Sequence, residues 1–202
     1  MLITDTAAGG MMEAAVRNGV HERMLAVVGG AEGEAFARVA EGCGKEVVRA
    51  FVRPGETLQA RHLTRFLEGP GVDAVALVHV EPESGAVAPL EELARITRAA
   101  DDVLLFVDAR CSLGEAPVEF DLWQLDFVLA GGIGPLGLPT GLSLAAASKR
   151  LMSRATSLED RGWYFDLVRL EQEIRARALT NAPATPLLLE LERRVTGRTG
   201  TV

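Results

Sequence analysis

Lysine is nearly missing from this chain. All basic residues other than Lys45 and Lys149 are arginine, so chemistry that needs a side-chain primary amine has two candidates. Cysteine is as scarce. Cys43 and Cys111 show no metal-ligand spacing and have no neighbouring histidine, which excludes a zinc framework or a disulfide scaffold and reads as two small buried residues in a reducing compartment. No apolar run approaches the roughly 20 residues of a membrane span, and no basic-then-apolar leader opens the chain. A cytoplasmic protein without membrane attachment is expected. Surplus positive charge is absent too: the net charge is -7, which leaves no basic face for nucleic acid. Internal repeats and low-complexity linkers are also missing.

What is present is enough apolar matter for one good core: 202 residues, 48% hydrophobic, which argues for a single domain. Strand and helix signals alternate along it. Helices are predicted at Gly10–Asn18, Glu34–Cys43, Thr57–Glu68, Pro89–Ala100, Gly162–Ala178 and Pro186–Arg194, and strands at Met24–Val28, Lys45–Val52, Val72–Val80, Val103–Val107, Phe127–Ala130 and Leu142–Ala147. Such alternation implies an α/β fold with a mostly parallel sheet of about seven strands and helices on both faces. The tail from Thr196 is expected to fray.

The chain is organised around Leu104 to Ser143. Val103 to Val107 is apolar without alternation, as in a strand buried on both faces, and it ends on Asp108. A carboxylate there lies where open α/β sheets place ligand sites. By local chemistry alone Asp108 reads as a turn or cap residue and His79 as a hydrogen-bonded core histidine. The glycines of G-G-I-G-P-L-G (131–137) lack the spacing and following helix of a dinucleotide loop. Ser112 could pair with His62 or His79 as nucleophile and base, but no nucleophile elbow surrounds it.

The run V-D-A-R-C-S-L-G-E-A-P-V (107–118), then W-Q-L-D (123–126) and G-L-P-T-G-L-S (137–143), resembles the core of the class V aminotransferases, pyridoxal-phosphate enzymes of fold type I, and within them the alanine– or serine–glyoxylate type. M-M-E-A-A-V-R-N (11–18) is similar to the first helix of that family's large domain. The resemblance implies a large domain over residues 1–195 with a tail at 196–202, and no counterpart of the family's N-terminal arm or its small C-terminal domain, which supplies the arginine for the substrate carboxylate.

It also implies where the cofactor site would be, and what has changed there. The Schiff-base lysine position holds Gly134, two residues after Gly132. Lys149 comes several residues after the following strand, and Lys45 starts a strand at the other end. The phosphate-binding S-G-T run becomes Ala7-Ala8-Gly9, with Thr4 or Thr6 as substitutes in another register. The aromatic cover of the ring becomes Glu32, a hydroxyl contact becomes Glu83, and the partner subunit's threonine position holds Ala182. Only Asp108, the family's partner to the pyridinium nitrogen, stays, with His79 nearby. Glu32, Glu83 and Asp108 are expected to face one acidic cleft that repels a phosphate ester, at about 4 kcal/mol per like-charge pair near 4 Å.

The resemblance therefore points to a pseudoenzyme with no bound cofactor, no metal and no catalytic residue. A cation- or amine-binding role for the acidic cleft, and an atypical transaminase, are the alternatives. Pairing is expected through a helical stripe of Trp163, Leu167, Leu170 and Ile174 and the A-P-A-T-P loop, giving a homodimer or a complex with an active paralogue.

Overall fold

In a computed structural model the chain is described over residues 2–4, 8–53, 55–69, 71–131, 137, 141–178 and 184–199. Its elements in chain order are β1 (Leu2–Thr4), α1 (Ala8–Gly19), β2 (Arg23–Val28), α2 (Ala31–Gly42), β3 (Glu46–Phe51), α3 (Ala60–Leu67), β4 (Ala74–Val78), α4 (Leu90–Ala99), β5 (Leu104–Asp108), β6 (Phe127–Gly131), β7 (Ser143–Ala147), α5 (Lys149–Ala155), α6 (Leu167–Ala176) and α7 (Thr185–Thr199). One seven-stranded sheet has the order β1-β7-β6-β5-β4-β2-β3. Its centre, β3 through β6, is parallel, and β7 runs antiparallel to both β6 and β1. This is the α/β architecture expected from the sequence, a mostly parallel sheet of seven strands with helices on both faces.

Alternation along the central strands divides the core in two. In β5, Leu104 and Phe106 pack with Met11, Val16 and Phe36 under α1 and α2. Leu105 and Val107 pack instead with Leu63, Leu90 and Leu93 under α3 and α4. Successive side chains of a strand point to opposite faces, and a strand covered on both sides is apolar throughout. Phe106 anchors the first layer, stacked on Phe36 at 6.4 Å and edge-on to Phe127 at 6.1 Å. A buried ring of this kind contributes roughly 1.5–3 kcal/mol.

The edge of the sheet away from the strand C-termini is tied by charge. Asp126, nearly fully buried, accepts Leu105 N–H at 2.9 Å, Ser148 Oγ at 3.0 Å and the Arg150 guanidinium at 3.0 and 2.6 Å. Asn18, fully buried at the end of α1, donates to the carbonyls of Ala14 and Phe165 and accepts the Leu167 N–H, which fixes the start of α6.

Two expectations need correction. The long helix begins at Leu167, not Gly162, because Asp166 caps its first N–H groups, at 2.9 and 3.1 Å. Its expected apolar stripe breaks: Leu167 is buried and Leu170 packs on the core, but Trp163 and Ile174 are 61% and 47% exposed. Helix α7 runs from Thr185 to Thr199. The sequence reading also missed β1 and α5, both very short. No helix among the described residues is long and apolar enough to cross a membrane.

Candidate functional site

The C-terminal ends of β4, β5 and β6 meet where Val78, Asp108 and Leu129 lie in register. Asp108 shares parity with Phe106, so its side chain points to the face of α1 and α2 and is only 2% exposed. It does not face an open acidic cleft. Arg110, two residues on in the turn after β5, folds back over it. The Arg110 backbone N–H donates to Asp108 Oδ1 at 3.0 Å. Its guanidinium Nε donates to both carboxylate oxygens, at 3.0 and 2.9 Å, and one terminal nitrogen to Oδ2 at 2.6 Å. The same nitrogen also donates to Glu32, in the first turn of α2.

This fork meets a planar carboxylate with a planar guanidinium, the geometry at which arginine binds carboxylates most strongly. Burial opposes the Arg110 charge, but the hydrogen bonds and charge of Asp108, then of Glu32, outweigh it and hold the guanidinium's pKa above its ordinary value. Beside it, burial and the Asp108 charge push the Cys111 thiol up. Cys111 is therefore no ready thiolate nucleophile.

Sequence reasoning missed a second member of the site, Glu81. Its carboxylate lies against Gly29 and Gly30 at the start of α2, and a Cβ on Gly30 would come within 2.5 Å of Oε2. Among the described residues that buried oxygen has no hydrogen-bond partner. Burial, then the charges of Asp108, Glu32 and Glu83, raise the Glu81 pKa. Glu83 is exposed on the turn after β4 and contributes the least of these charges. Asp108 and Glu32 share the Arg110 guanidinium, and Glu81 stands close enough to both to feel their charge. The balance stays negative, three carboxylates to one cation.

Of the other expected positions, Ala7, Gly132, Gly134 and Ala182 lie outside the described residues. Ala8 opens α1, and Gly9 has open space where a side chain would project. His79 is near Asp108 only through the backbone, its N–H donating to the Asp108 carbonyl at 3.0 Å. Following β4 in parity with Val75 and Leu77, its side chain faces the opposite layer, where Nδ1 sits 2.8 Å from Ser112 Oγ.

Both lysines stand far from Asp108. Lys149 opens α5 just after Ala147, which pairs with Phe127, itself opposite Phe106. Strand spacings put it about 13 Å along the strands and about 10 Å across them from Asp108. Lys45 precedes β3 at the same far edge and donates to the His21 carbonyl at 3.0 Å. Among the described residues no group of three or more His, Cys, Asp or Glu could hold a metal ion.

The sequence model of the family described as aminotransferase class-V matches residues 9–186. The chain belongs to the class V aminotransferase family. Alanine--glyoxylate aminotransferase 1 of Saccharomyces cerevisiae is 30% identical over 74% of this chain and 40% of its own length. A Methanocaldococcus jannaschii protein named an uncharacterized aminotransferase is 28% identical over 82% of this chain and 43% of its own length. Among solved structures, alanine--glyoxylate aminotransferase from Nostoc sp. superposes with a TM-score of 0.90 at 26% identity, covering 96% of this chain and 53% of that one. The subgroup IV aspartate aminotransferase of Thermus thermophilus gives 0.83 at 28% identity, over 97% and 55%. The chain spans about half the length of the relatives it matches. Members of this family depend on pyridoxal phosphate.

Proposed function

We propose that this chain is a class V aminotransferase relative that has lost transamination and keeps the fold and an association surface. The observation that carries the reading is the Arg110 fork on Asp108. The carboxylate that the resemblance assigns to a pyridinium nitrogen already holds an internal cation on both oxygens. The residues do not fit pyridoxal phosphate. A Schiff base needs a lysine amine, and both lysines stand at the opposite edge of the sheet, well beyond a side chain's reach. Gly134 offers no amine wherever it lies, and Ala7, Ala8 and Ala182 offer no hydroxyl to a phosphate. Glu32 and Glu81 would add repulsion to a dianionic ester.

The test is incubation with stoichiometric pyridoxal phosphate, borohydride reduction and peptide mass spectrometry. The reading expects no stoichiometric pyridoxyl adduct. Full occupancy of a single lysine, Lys45 or Lys149, would overturn it.

Association and location belong to the same proposal. Ile174, Leu189 and Val195 on α6 and α7 are 47%, 60% and 45% exposed, which supports burial against a second copy or an active paralogue. A sedimentation profile of a strict monomer, unaltered by a paralogue, would remove that part. Cys43 and Cys111 are both free thiols, which supports a cytoplasmic location. Cation binding at the carboxylates is the weaker reading, since Arg110 is already paired with two of them.

A further inference from the structure

The parity that turns Asp108 toward α1 and α2 turns His79 the other way. There it floors an open cleft of about 530 Å³ between the first turns of α4 and the segment Ala116–Trp123, a volume typical of small-molecule sites. His79 is 3% exposed and Ser112 is 1% exposed. With Nδ1 committed to Ser112 Oγ, Nε2 is the ring's remaining polar atom. It has no hydrogen-bond partner among the described residues, and the cleft is the space His79 lines. Nε2 is not among the fully buried unpartnered atoms, so it opens on the cleft His79 lines, where an occupant can pair with it.

We propose that this cleft binds a phenol without negative charge, its ring lying against Trp123 and Pro117 and its hydroxyl on His79 Nε2. The lining suits a flat apolar body, with Trp123, Pro117, Val87 and Leu90 supplying apolar surface. A hydroxyl both donates and accepts, so it pairs with Nε2 in either imidazole tautomer, which neither an ammonium nor a carboxylate does. At the rim Glu91 and Glu92 outnumber Arg95, and like charge there disfavours an anion. Burial also lowers the His79 pKa, so the imidazole is neutral at neutral pH and offers an anion no counter-charge. None of this depends on the fate of the cofactor site across the sheet.

The experiment titrates p-cresol into the whole chain carrying Trp163→Phe, which leaves Trp123 as the only tryptophan. Fluorescence follows Trp123 and nitrogen NMR follows the His79 ring. Saturable binding at millimolar p-cresol that quenches Trp123 and moves the Nε2 resonance is expected. His79→Phe should weaken it about ten-fold, the scale of one buried hydrogen bond. The anionic 4-hydroxyphenylacetate should bind more weakly than p-cresol, and Glu91→Gln with Glu92→Gln should narrow that gap. Those rim variants lie on an exposed helical turn, so they keep the test alive should His79→Phe fail to fold. No saturation, an unmoved His79 ring, or equal affinity for the anion would overturn the proposal.

Discussion

Replacing Arg110 by methionine keeps most of the side-chain volume and removes the cation. Asp108 would then be a carboxylate, 2% exposed, held by little beyond the Arg110 backbone N–H at 3.0 Å. Breaking one side of a buried ion pair costs about 3–5 kcal/mol. The Arg110 side chain keeps 22% of its surface, so water screens part of the loss and the lower end, about 3 kcal/mol, is expected. The Glu32 contact adds little, since that carboxylate is 33% exposed and such pairs contribute at most about 1 kcal/mol. For a chain of this length the loss corresponds to a Tm drop of about 6–12 °C. Urea denaturation and calorimetry would measure it. The decisive comparison is Arg110→Met together with Asp108→Asn, which removes both charges and should recover most of the loss. If Arg110→Met costs under about 1 kcal/mol, or the double variant is no more stable than the single one, the pair is not holding this end of the sheet.

Asp126→Ala should cost about 3–5 kcal/mol in urea denaturation, because it strips a buried carboxylate from Arg150, Ser148 and the Leu105 N–H at once. Gly33→Ala should lose about 1–3 kcal/mol despite alanine's better helix propensity, since its Cβ would lie 2.4 Å from the Val27 carbonyl oxygen. Glu81 has a raised pKa, from burial first and then from Asp108, Glu32 and Glu83. Its protonated form is therefore favoured by folding, and the stability it allows is full below the ordinary carboxyl range and lost as pH rises through the raised value. Glu81→Gln should accordingly raise Tm at neutral pH and flatten the rise in Tm that the parent chain shows on mild acidification.

The fold was readable because the central strands are apolar on both faces and the helices between them keep their spacing. Elements of three to seven residues, β1 and α5, carry too little periodicity to stand out. The start of α6 was misplaced because Trp163 extended the helical stripe on paper, while Asp166 sets the real cap. At the site, Asp108 was visible as an acid ending a buried strand. Arg110 carries the opposite charge two residues on, but whether the turn after β5 folds its guanidinium back onto Asp108 is not encoded in residue type. Glu81 was passed over in favour of Glu83 since the turn geometry after β4, which decides which of the two is sheltered, is not encoded in residue type. The direction of His79 was open to simple counting along β4, as Val75 and Leu77 share its side.

One hydrogen bond, from the His79 amide to the Asp108 carbonyl, joins two chemically unrelated groups of side chains that lie back to back. Each draws its side chains from the opposite surface of the same ribbon, so either can be rebuilt, emptied or repurposed by substitutions the other never contacts. A scaffold of that kind can retire one activity and still carry selection on its reverse.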